Sequence, residues 1–291
     1  MKRRNIIRSA VLAFTAAALL VAQPLTAAEP SITMAFVPQE NPDKLLGDIE
    51  QITAYLSKET GVPVKGFVTS DHAAAVEALR NGDADISFMG ALPSVIAKHR
   101  IGAEPILLEV YRGKPTYRGR VFVRRDSAIE TLADLKGKTI AFADPISESG
   151  YLFPLKTFVD EGLLEKGADP KGFFGEVYFA GGYQQAIQAM ANGLVDAAGV
   201  SQYADLLLTP DQQAEIRWIA ESEQIPSHTV IARKGLDDDL KTRFIAAMMK
   251  LNEPDYRVYL KYVYGPDGYV VADNSAFTNL EALARDYGFI D

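Results

Sequence analysis

The chain of 291 residues contains no cysteine. This absence excludes a disulfide framework, a thiol nucleophile, a cysteine-ligated metal site and a lipid attached to cysteine. Histidine is scarce as well: His72, His99 and His228 lie far apart in the sequence, with no metal-ligand spacing. No Ser-His-Asp spacing indicates a hydrolase either. We therefore expect no metal, no cofactor and no enzymatic activity.

A membrane-spanning run is also missing, because no apolar stretch reaches the required length of about 20 residues. Residues 1–28 instead have the composition of an export signal: a basic start, an apolar stretch over residues 11–22, and small residues up to Ala28. We expect cleavage near Ala28. Export without disulfides or a lipid favours the periplasm of a Gram-negative bacterium, and secretion beyond the cell is the alternative.

Basic residues are fewer than acidic ones. The chain has 30 basic and 38 acidic side chains; without residues 1–28, which hold four basic and no acidic ones, 26 and 38 remain and the net charge is −12. This excess argues against nucleic acid or an anionic membrane as a partner. An anionic ligand would have to be held by a local arrangement of donors.

A segment of the chain occurs twice. Residues 75–85 recur 111 residues later as residues 186–196, with five of eleven positions identical. In both copies a helical pattern runs into Asn-Gly, where glycine permits the left-handed conformation that ends a helix. An aspartate, Asp85 or Asp196, then opens a short apolar strand. We expect these aspartates to be structural.

Strands alternate with helices around both copies, which is typical of sheets covered by helices. The sequence predicts an α/β fold of two Rossmann-like lobes with mainly parallel sheets. Extended runs near residues 117–124 and 227–232 would cross between the lobes as a two-strand hinge. We assign residues 29–118 and 230–291 to the first lobe and 119–229 to the second, with a ligand cleft between them.

The leading ligand site is the loop after the strand that ends at Phe142. In parallel α/β sheets, ligands lie beyond the carboxyl ends of strands, where helix N-termini offer N–H groups. Ser147, Glu148, Ser149 and Gly150 stand at such a helix start and could hold a tetrahedral oxyanion. The alternative is an ordinary serine N-cap in which Glu148 balances first-turn charge.

Further candidates come in pairs from the two copies. His72 and Tyr183 begin the repeated helix in each lobe, and both should face the cleft, although His72 could instead be a surface residue beside Asp71. Gly90, with Met89 before it, and Gln202 stand at the ends of the strands that follow each copy.

The crossing runs supply the remaining candidates. Tyr117 and His228 come from one run each. Arg118 and Arg120 could clamp an oxyanion, but alternating charges on an extended run are more typical of a solvated face.

The runs Leu132–Thr139 (LADLKGKT) and Asp144–Pro154 (DPISESGYLFP) resemble the phosphonate/phosphite-binding family of substrate-binding proteins that serve ABC importers. This resemblance implies a periplasmic binding protein fold of type II, two lobes that close on the solute. It also implies that Ser147, Ser149 and Gly150 hold the oxyanion and that Tyr117 matches a tyrosine of the first crossing strand.

The chain departs from that family at several positions. The family usually has tyrosine at the position of His72, histidine at Tyr183 and threonine at Glu148. Where members that bind aminoalkyl phosphonates use acidic side chains, this chain has Ser201-Gln202-Tyr203 and Ser227-His228. These departures favour a compact oxyanion, such as phosphite or an arsenic or selenium species, over 2-aminoethylphosphonate. An inward Glu148 would repel an anion unless it is protonated or paired.

The resemblance implies a monomeric periplasmic protein that passes a small anionic solute to an ABC permease in the inner membrane. Two alternatives stay open. The chain could report the same ligand to a histidine kinase, or it could be an enzyme related to the thiamine-pyrimidine synthases.

Overall fold

Strands and helices alternate through most of the chain. The computed structural model describes residues 30–38 and 42–291, so the predicted export signal and residues 39–41 lie outside the described residues. The strands are β1 Ile32–Phe36, β2 Val64–Val68, β3 Ile86–Met89, β4 Glu104–Val110, β5 Thr116–Tyr117, β6 Gly119–Arg124, β7 Thr139–Phe142, β8 Glu176–Phe179, β9 Ala197–Ser201, β10 Ile216–Glu221, β11 Ile225–Pro226, β12 Thr229–Ala232 and β13 Gly268–Val271.

Eight α-helices within the described residues connect and cover these strands. They are α1 Pro42–Thr60, α2 His72–Asn81, α3 Ala91–Ile101, α4 Phe153–Asp160, α5 Tyr183–Ala191, α6 Pro210–Ala214, α7 Asp238–Lys250 and α8 Thr278–Asp286. In the part of the chain that the structure describes, no helix combines the length and the apolar character needed to cross a bilayer.

The strands form two large sheets. One has the order β13-β4-β12-β3-β1-β2 and the other β10-β6-β9-β7-β8. The predicted α/β fold with two mainly parallel sheets is therefore confirmed: among the described residues, four of the six strands in the first sheet and four of the five in the second run in one direction. Within each, the duplicated strands run parallel, β2-β1-β3 and β9-β7-β8. Strands β12 and β6, each next to a crossing, pair antiparallel with their neighbours.

Two short strands connect the sheets. β5 pairs antiparallel with β11, with Tyr117 opposite Ile225. The chain leaves the first sheet just before β5 and re-enters it just after β11, so the two-strand hinge lies at β5 and β11. Most of the predicted crossing runs, residues 119–124 and 229–232, instead form β6 and β12 within the two sheets. Residues Ser31–Asp291 form one compact unit, and the lobe boundaries near residues 118 and 230 stay a prediction.

Each sheet has its own apolar core. Phe36 and Phe88 stack at 4.9 Å between the first sheet and its helices, and Phe142 and Phe158 are fully buried in the second. A further cluster packs residues of both lobes against the hinge, including Leu92, Tyr117 and Phe153. This shared cluster fixes the hinge side of the cleft.

The repeated aspartates accept equivalent hydrogen bonds in the two sheets. Asp85 accepts a hydrogen bond from the Thr33 amide at the start of β1, at 2.8 Å. Asp196 accepts from both the amide and the hydroxyl of Thr139 at the start of β7, each at 2.8 Å. Each aspartate thus ties the beginning of one parallel strand to the next, which is the structural role expected from the repeat.

Replacing Asp196 should therefore destabilise the fold. Asp196→Ala removes the oxygen that accepts both hydrogen bonds from Thr139, and we expect the free energy of unfolding to fall by about 1–3 kcal/mol. Denaturant titration monitored by circular dichroism measures this change. Asp83→Ala, at an exposed position in the first repeat, is the control and should have little effect. Equal losses for the two variants would contradict the role given to Asp196.

Candidate functional site

The loop after β7 ends in a wide helical turn. Ser147 caps it by accepting a hydrogen bond from the Gly150 amide at 3.0 Å. The amide of Leu152 donates to the carbonyl of Ser147, five residues back, so the turn Glu148–Leu152 is a single π turn before α4 begins. Only glycine fits at position 150, since a β-carbon would lie 2.6 Å from that of Ala143. Turns of this kind are frequent at functional sites.

The Glu148 side chain points from this turn into the other lobe and is fully buried. Its Oε2 accepts a hydrogen bond from the Leu92 amide in the first turn of α3, at 3.1 Å. Its Oε1 accepts one from the Tyr117 hydroxyl on β5, at 2.6 Å. The N-terminus of α3 favours negative charge, and Tyr117 adds a donor. The carboxylate therefore turns inward and is paired by donors of the first lobe and the hinge.

Gly90 provides the space for this carboxylate. A β-carbon at position 90 would lie 2.4 Å from Glu148 Oε2. The backbone of Gly90 has φ −63° and ψ 164°, a conformation open to any residue. Glycine is thus needed here for close approach and not for its backbone freedom.

Hydroxyls and an imidazole surround the carboxylate. Ser149 Oγ and the Tyr183 hydroxyl share a hydrogen bond of 2.8 Å, and that hydroxyl lies 3.2 Å from His228 Nε2. Ser147 Oγ lies 3.5 Å from the same hydroxyl. We call Ser147, Ser149, Tyr117, Tyr183 and His228 the donor cluster. All five side chains are buried.

His228 lies between two carboxylates. Its Nε2 is 3.8 Å from Glu148 Oε1, and its Nδ1 is 3.5 Å from Glu109 Oε2. Burial alone would lower the pKa of His228, but the facing carboxylate of Glu109 and the charge of Glu148 raise it above its ordinary value. This environment favours a positive charge on the imidazole.

The two tyrosines keep their phenolic protons. Burial and the charge of Glu148 raise the pKa of Tyr117 well above its ordinary value, and the pKa of Tyr183 is raised for the same reasons. Both side chains can therefore donate hydrogen bonds to an anion at neutral pH.

His72 borders the cluster from the start of α2. It lines a small cavity of about 10 Å³ together with Ser147, Tyr183 and Asp144. Burial lowers the pKa of His72, against the opposing charges of Asp144 and Glu148. Its Nδ1 is buried and has no hydrogen-bond partner among the described residues. Such an atom is uncommon in a folded protein and calls for an explanation.

A larger cavity of about 300 Å³ lies on the other side of the cluster, and Tyr117, Tyr183 and His228 form part of its wall. We call it the aromatic cavity. Its other lining side chains are aromatic or aliphatic apart from one serine and one acid and base pair: Tyr111, Arg112, Ser201, Tyr203, Ala204, Leu206, Leu207, Tyr264 and Asp267.

The structure brings most of the predicted site residues together. Those that meet around the Glu148 carboxylate or the small cavity are Ser147, Glu148, Ser149, Gly150, Tyr117, His72, Tyr183, Gly90 and His228. The Met89 side chain is instead fully buried in the apolar core with Ala35 and Leu79. Gln202 is not among the described residues that line either cavity, and its amide pairs with the Arg118 carbonyl.

The arginines of the crossing strand have other partners. Arg120 forms an ion pair with Glu221 on β10, at 2.6 Å, and its guanidinium lies over the ring of Trp218. Arg118 lies 3.4 Å from Glu221 and donates to the Ser222 carbonyl. These contacts agree with the expectation that the alternating charges of this strand form a solvated face and not an oxyanion clamp.

The sequence did not point to several residues of the site. Glu109 and Tyr111 come from the end of β4. Because ligands lie beyond the carboxyl ends of strands in α/β sheets, this position could have been predicted. Tyr203 lies in a stretch considered only for its lack of acidic residues. Tyr264 comes from an irregular segment near the C-terminus that carries no sequence signal.

No group of three or more histidine, aspartate or glutamate side chains among the described residues is arranged to hold a metal ion. Hydrogen-bond donors, the imidazoles of His72 and His228, and the buried carboxylates of Glu148 and Glu109 are the chemistry that the site offers.

The structure has two sheets covered by helices, a two-strand hinge and a buried donor cluster between the lobes. These features are those of a periplasmic solute-binding protein. A family model described as "ABC transporter, phosphonate, periplasmic substrate-binding protein" matches residues 34–277. The chain belongs to this family.

Individual relatives agree with the family. The phosphate-import protein PhnD of Mycolicibacterium smegmatis is 34% identical over 173 residues, which cover 57% of this chain and 54% of that protein. The chain thus spans about half the length of that relative. A probable phosphite-binding protein, PhnD1 of Prochlorococcus marinus, is 22% identical, with 86% and 87% covered.

Solved structures show the same fold. A binding protein component of a phosphonate ABC transporter from Pseudomonas aeruginosa has a TM-score of 0.78 at 24% identity, covering 88% of this chain and 85% of that one. PhnD1 of Prochlorococcus marinus, in complex with methylphosphonate, has a TM-score of 0.77 at 18% identity, covering 89% and 99%.

The contact between Gly90 and Glu148 can be tested by a double-mutant cycle. Gly90→Ala places a methyl group against the carboxylate, so we expect a loss of about 1–3 kcal/mol in the free energy of unfolding. In a Glu148→Ala background the same change should cost little, because the clashing group is gone. Denaturant titrations of the four proteins measure the coupling.

Gly47→Ala is the matched control for that cycle. A β-carbon at Gly47 in α1 meets nothing within 4 Å, so this change should be neutral or stabilising by up to about 1 kcal/mol. An equal cost of Gly90→Ala with and without Glu148 would show that the carboxylate does not occupy this position.

Proposed function

We propose that the protein captures a phosphonate, phosphite or related small oxyanion at the donor cluster and delivers it to an ABC permease of the inner membrane. The observation that carries this proposal is the position of the Glu148 carboxylate. It is itself an oxyanion, and it is fully buried between the lobes while it accepts from the Leu92 amide and the Tyr117 hydroxyl. The buried Glu148 carboxylate therefore indicates the position at which this site stabilises anionic oxygens.

A phosphorus oxyanion has more oxygens than a carboxylate and could use more of the donors. The hydroxyls of Ser147, Ser149 and Tyr183 adjoin Tyr117, and His228 offers a positive charge. Hydrogen bonds in which one partner is charged are about twice as strong as neutral ones. His72, whose Nδ1 has no partner among the described residues, would complete the set on the side of the small cavity.

The solute and the Glu148 carboxylate would compete for this position. The cavity beside His72 is about 10 Å³, room for about one water molecule. Two anions within a few ångströms also repel each other strongly in a buried site. Solute entry therefore requires the lobes to part and Glu148 to leave the Leu92 amide. The carboxylate holds the lobes together only until the solute replaces it.

Family membership supports the cellular setting of this proposal. The family consists of periplasmic substrate-binding proteins of ABC transporters. The composition of residues 1–28 supports export with cleavage near Ala28. We further propose that the mature chain acts as a monomer and catalyses no reaction. The relatives described as phosphate-import and phosphite-binding proteins, and the one solved with methylphosphonate, support a phosphorus oxyanion as the solute.

Calorimetric titration with phosphite, methylphosphonate, 2-aminoethylphosphonate, phosphate and arsenite tests the proposed function. We expect at least one of the five to bind with 1:1 stoichiometry. Ser147→Ala and Ser149→Ala should each weaken that binding by about 1–3 kcal/mol, because each removes a hydrogen bond to a charged group.

Ser275→Ala, at an exposed position on a turn before α8, is the control and should leave the affinity unchanged. No heat with any of the five compounds would refute the oxyanion assignment. Binding that neither Ser147→Ala nor Ser149→Ala alters would place the solute elsewhere.

Glu148→Gln should tighten the binding of the same oxyanion at neutral pH. The amide keeps the size of the side chain but removes the negative charge that opposes the solute. We expect at least a tenfold lower dissociation constant, equivalent to about 1.4 kcal/mol. Glu161→Gln, which removes the same charge from an exposed position after α4, is the matched control. Weaker binding by Glu148→Gln would show instead that the carboxylate contributes to holding the solute.

A further inference from the structure

The aromatic cavity is too large for the solutes that the sequence favours. Its volume is about 300 Å³, whereas a dry cavity of about 150 Å³ is enough to bind benzene. Phosphite or methylphosphonate held at the donor cluster would leave this space almost entirely unused. The size of the cavity therefore indicates a solute with a substantial organic substituent.

The cavity is continuous with the proposed oxyanion site. Tyr117, Tyr183 and His228 belong both to the donor cluster and to the cavity wall. A molecule whose phosphorus oxygens reach these three residues would therefore direct its substituent into the aromatic cavity.

The wall suits a flat or apolar group. The rings of Tyr111 and Tyr203 lie 5.3 Å apart with an angle of 31° between their planes. Leu206 and Leu207 also line the space. Ligand pockets are lined predominantly by apolar and aromatic side chains of this kind.

Apart from the donor cluster, the wall carries one base and one acid, Arg112 and Asp267, and so has no net charge that would favour an ionic substituent. Asp267 accepts a hydrogen bond from the Arg112 amide, and the Arg112 guanidinium lies 5.4 Å from the centre of the Tyr203 ring. A positively charged amine on the substituent would lie near the Arg112 guanidinium as well as near the Asp267 carboxylate. The arrangement instead orients Tyr203, whose ring is held by the guanidinium on one side.

Backbone strain is concentrated at the same wall. Among the described residues, only Arg112 and Tyr264 have positive φ without being glycine, at 49° and 65°, and both line the cavity. Such conformations persist where the surrounding structure holds them, often at ligand sites. Here the Asp267 carboxylate holds the Arg112 amide, and the Tyr264 hydroxyl donates to the Val37 carbonyl at 2.8 Å. The cavity is thus shaped by strained, fixed residues and not left over from loose packing.

We propose that the aromatic cavity binds an apolar, preferably aromatic, substituent of the phosphorus oxyanion whose charged end occupies the donor cluster. This inference rests on the proposed function and names the class of solute within it. The substituent is joined to phosphorus either directly, as in an arylphosphonate, or through an ester oxygen, as in an aryl phosphate. This class of solute is larger than the compact oxyanion that the sequence favours.

Competitive calorimetry with phenylphosphonate, phenyl phosphate, propylphosphonate, methylphosphonate and phosphite tests this inference. We expect the better of the two phenyl compounds to bind at least tenfold more tightly than methylphosphonate, with propylphosphonate between them. The order of phenylphosphonate and phenyl phosphate distinguishes direct attachment from the ester.

Variants of Tyr203 connect the preference to the cavity. Tyr203→Ala should abolish the advantage of the phenyl compounds over methylphosphonate, because it removes the ring against which the substituent packs. Tyr203→Phe keeps the ring and should keep the advantage. Tyr178→Ala, which removes a half-exposed aromatic ring from the edge strand β8 of the second sheet, is the control and should change neither affinity.

Two failures are distinguishable in this panel. If methylphosphonate or phosphite binds at least as tightly as both phenyl compounds, or if the phenyl advantage survives Tyr203→Ala, the substituent site is refuted and the proposed function stands. If none of the five compounds binds, the substituent site is refuted, while binding of phosphate, 2-aminoethylphosphonate or arsenite in the first titration would still support the proposed function.

Discussion

A buried carboxylate between two lobes is the interaction on which the cleft depends. Glu148 is fully buried, and its charge is met by the Leu92 amide, the Tyr117 hydroxyl and the nearby imidazole of His228. Burying a charge is costly unless donors surround it. Gly90 leaves the space for the carboxylate, and the N-terminus of α3 faces it. These features together stabilise the buried carboxylate.

The duplication explains why donors from distant parts of the chain converge. Each copy places a helix start beyond a parallel strand, so His72 and Tyr183, 111 residues apart, face the same small cavity. The two copies then diverge in chemistry while Asp85 and Asp196 keep the same strand contact. A symmetric framework therefore supports an asymmetric site, which suits a solute with one charged end and one organic end.

The sequence predicted the framework better than the cleft. Helical periodicity, Asn-Gly helix ends and the repeat located most strands of both sheets, because these are local signals. The edge strands β10 and β13 were not predicted; each pairs only with a strand from a distant part of the chain. The residues of the serine turn were predicted from a helix start. The inward turn of Glu148 and the walls built by Tyr111, Tyr203 and Tyr264 depend on contacts between distant segments, which no short pattern encodes.

The most direct test of the central claim is a crystal structure of the protein with a bound phosphorus oxyanion, such as phenylphosphonate or methylphosphonate. We expect oxygens of the phosphorus group to accept hydrogen bonds from the hydroxyls of Tyr117, Ser147 and Ser149, with the Glu148 carboxylate displaced from the Leu92 amide. Electron density for the anion at another place, with Glu148 still bound to Leu92, would contradict the account.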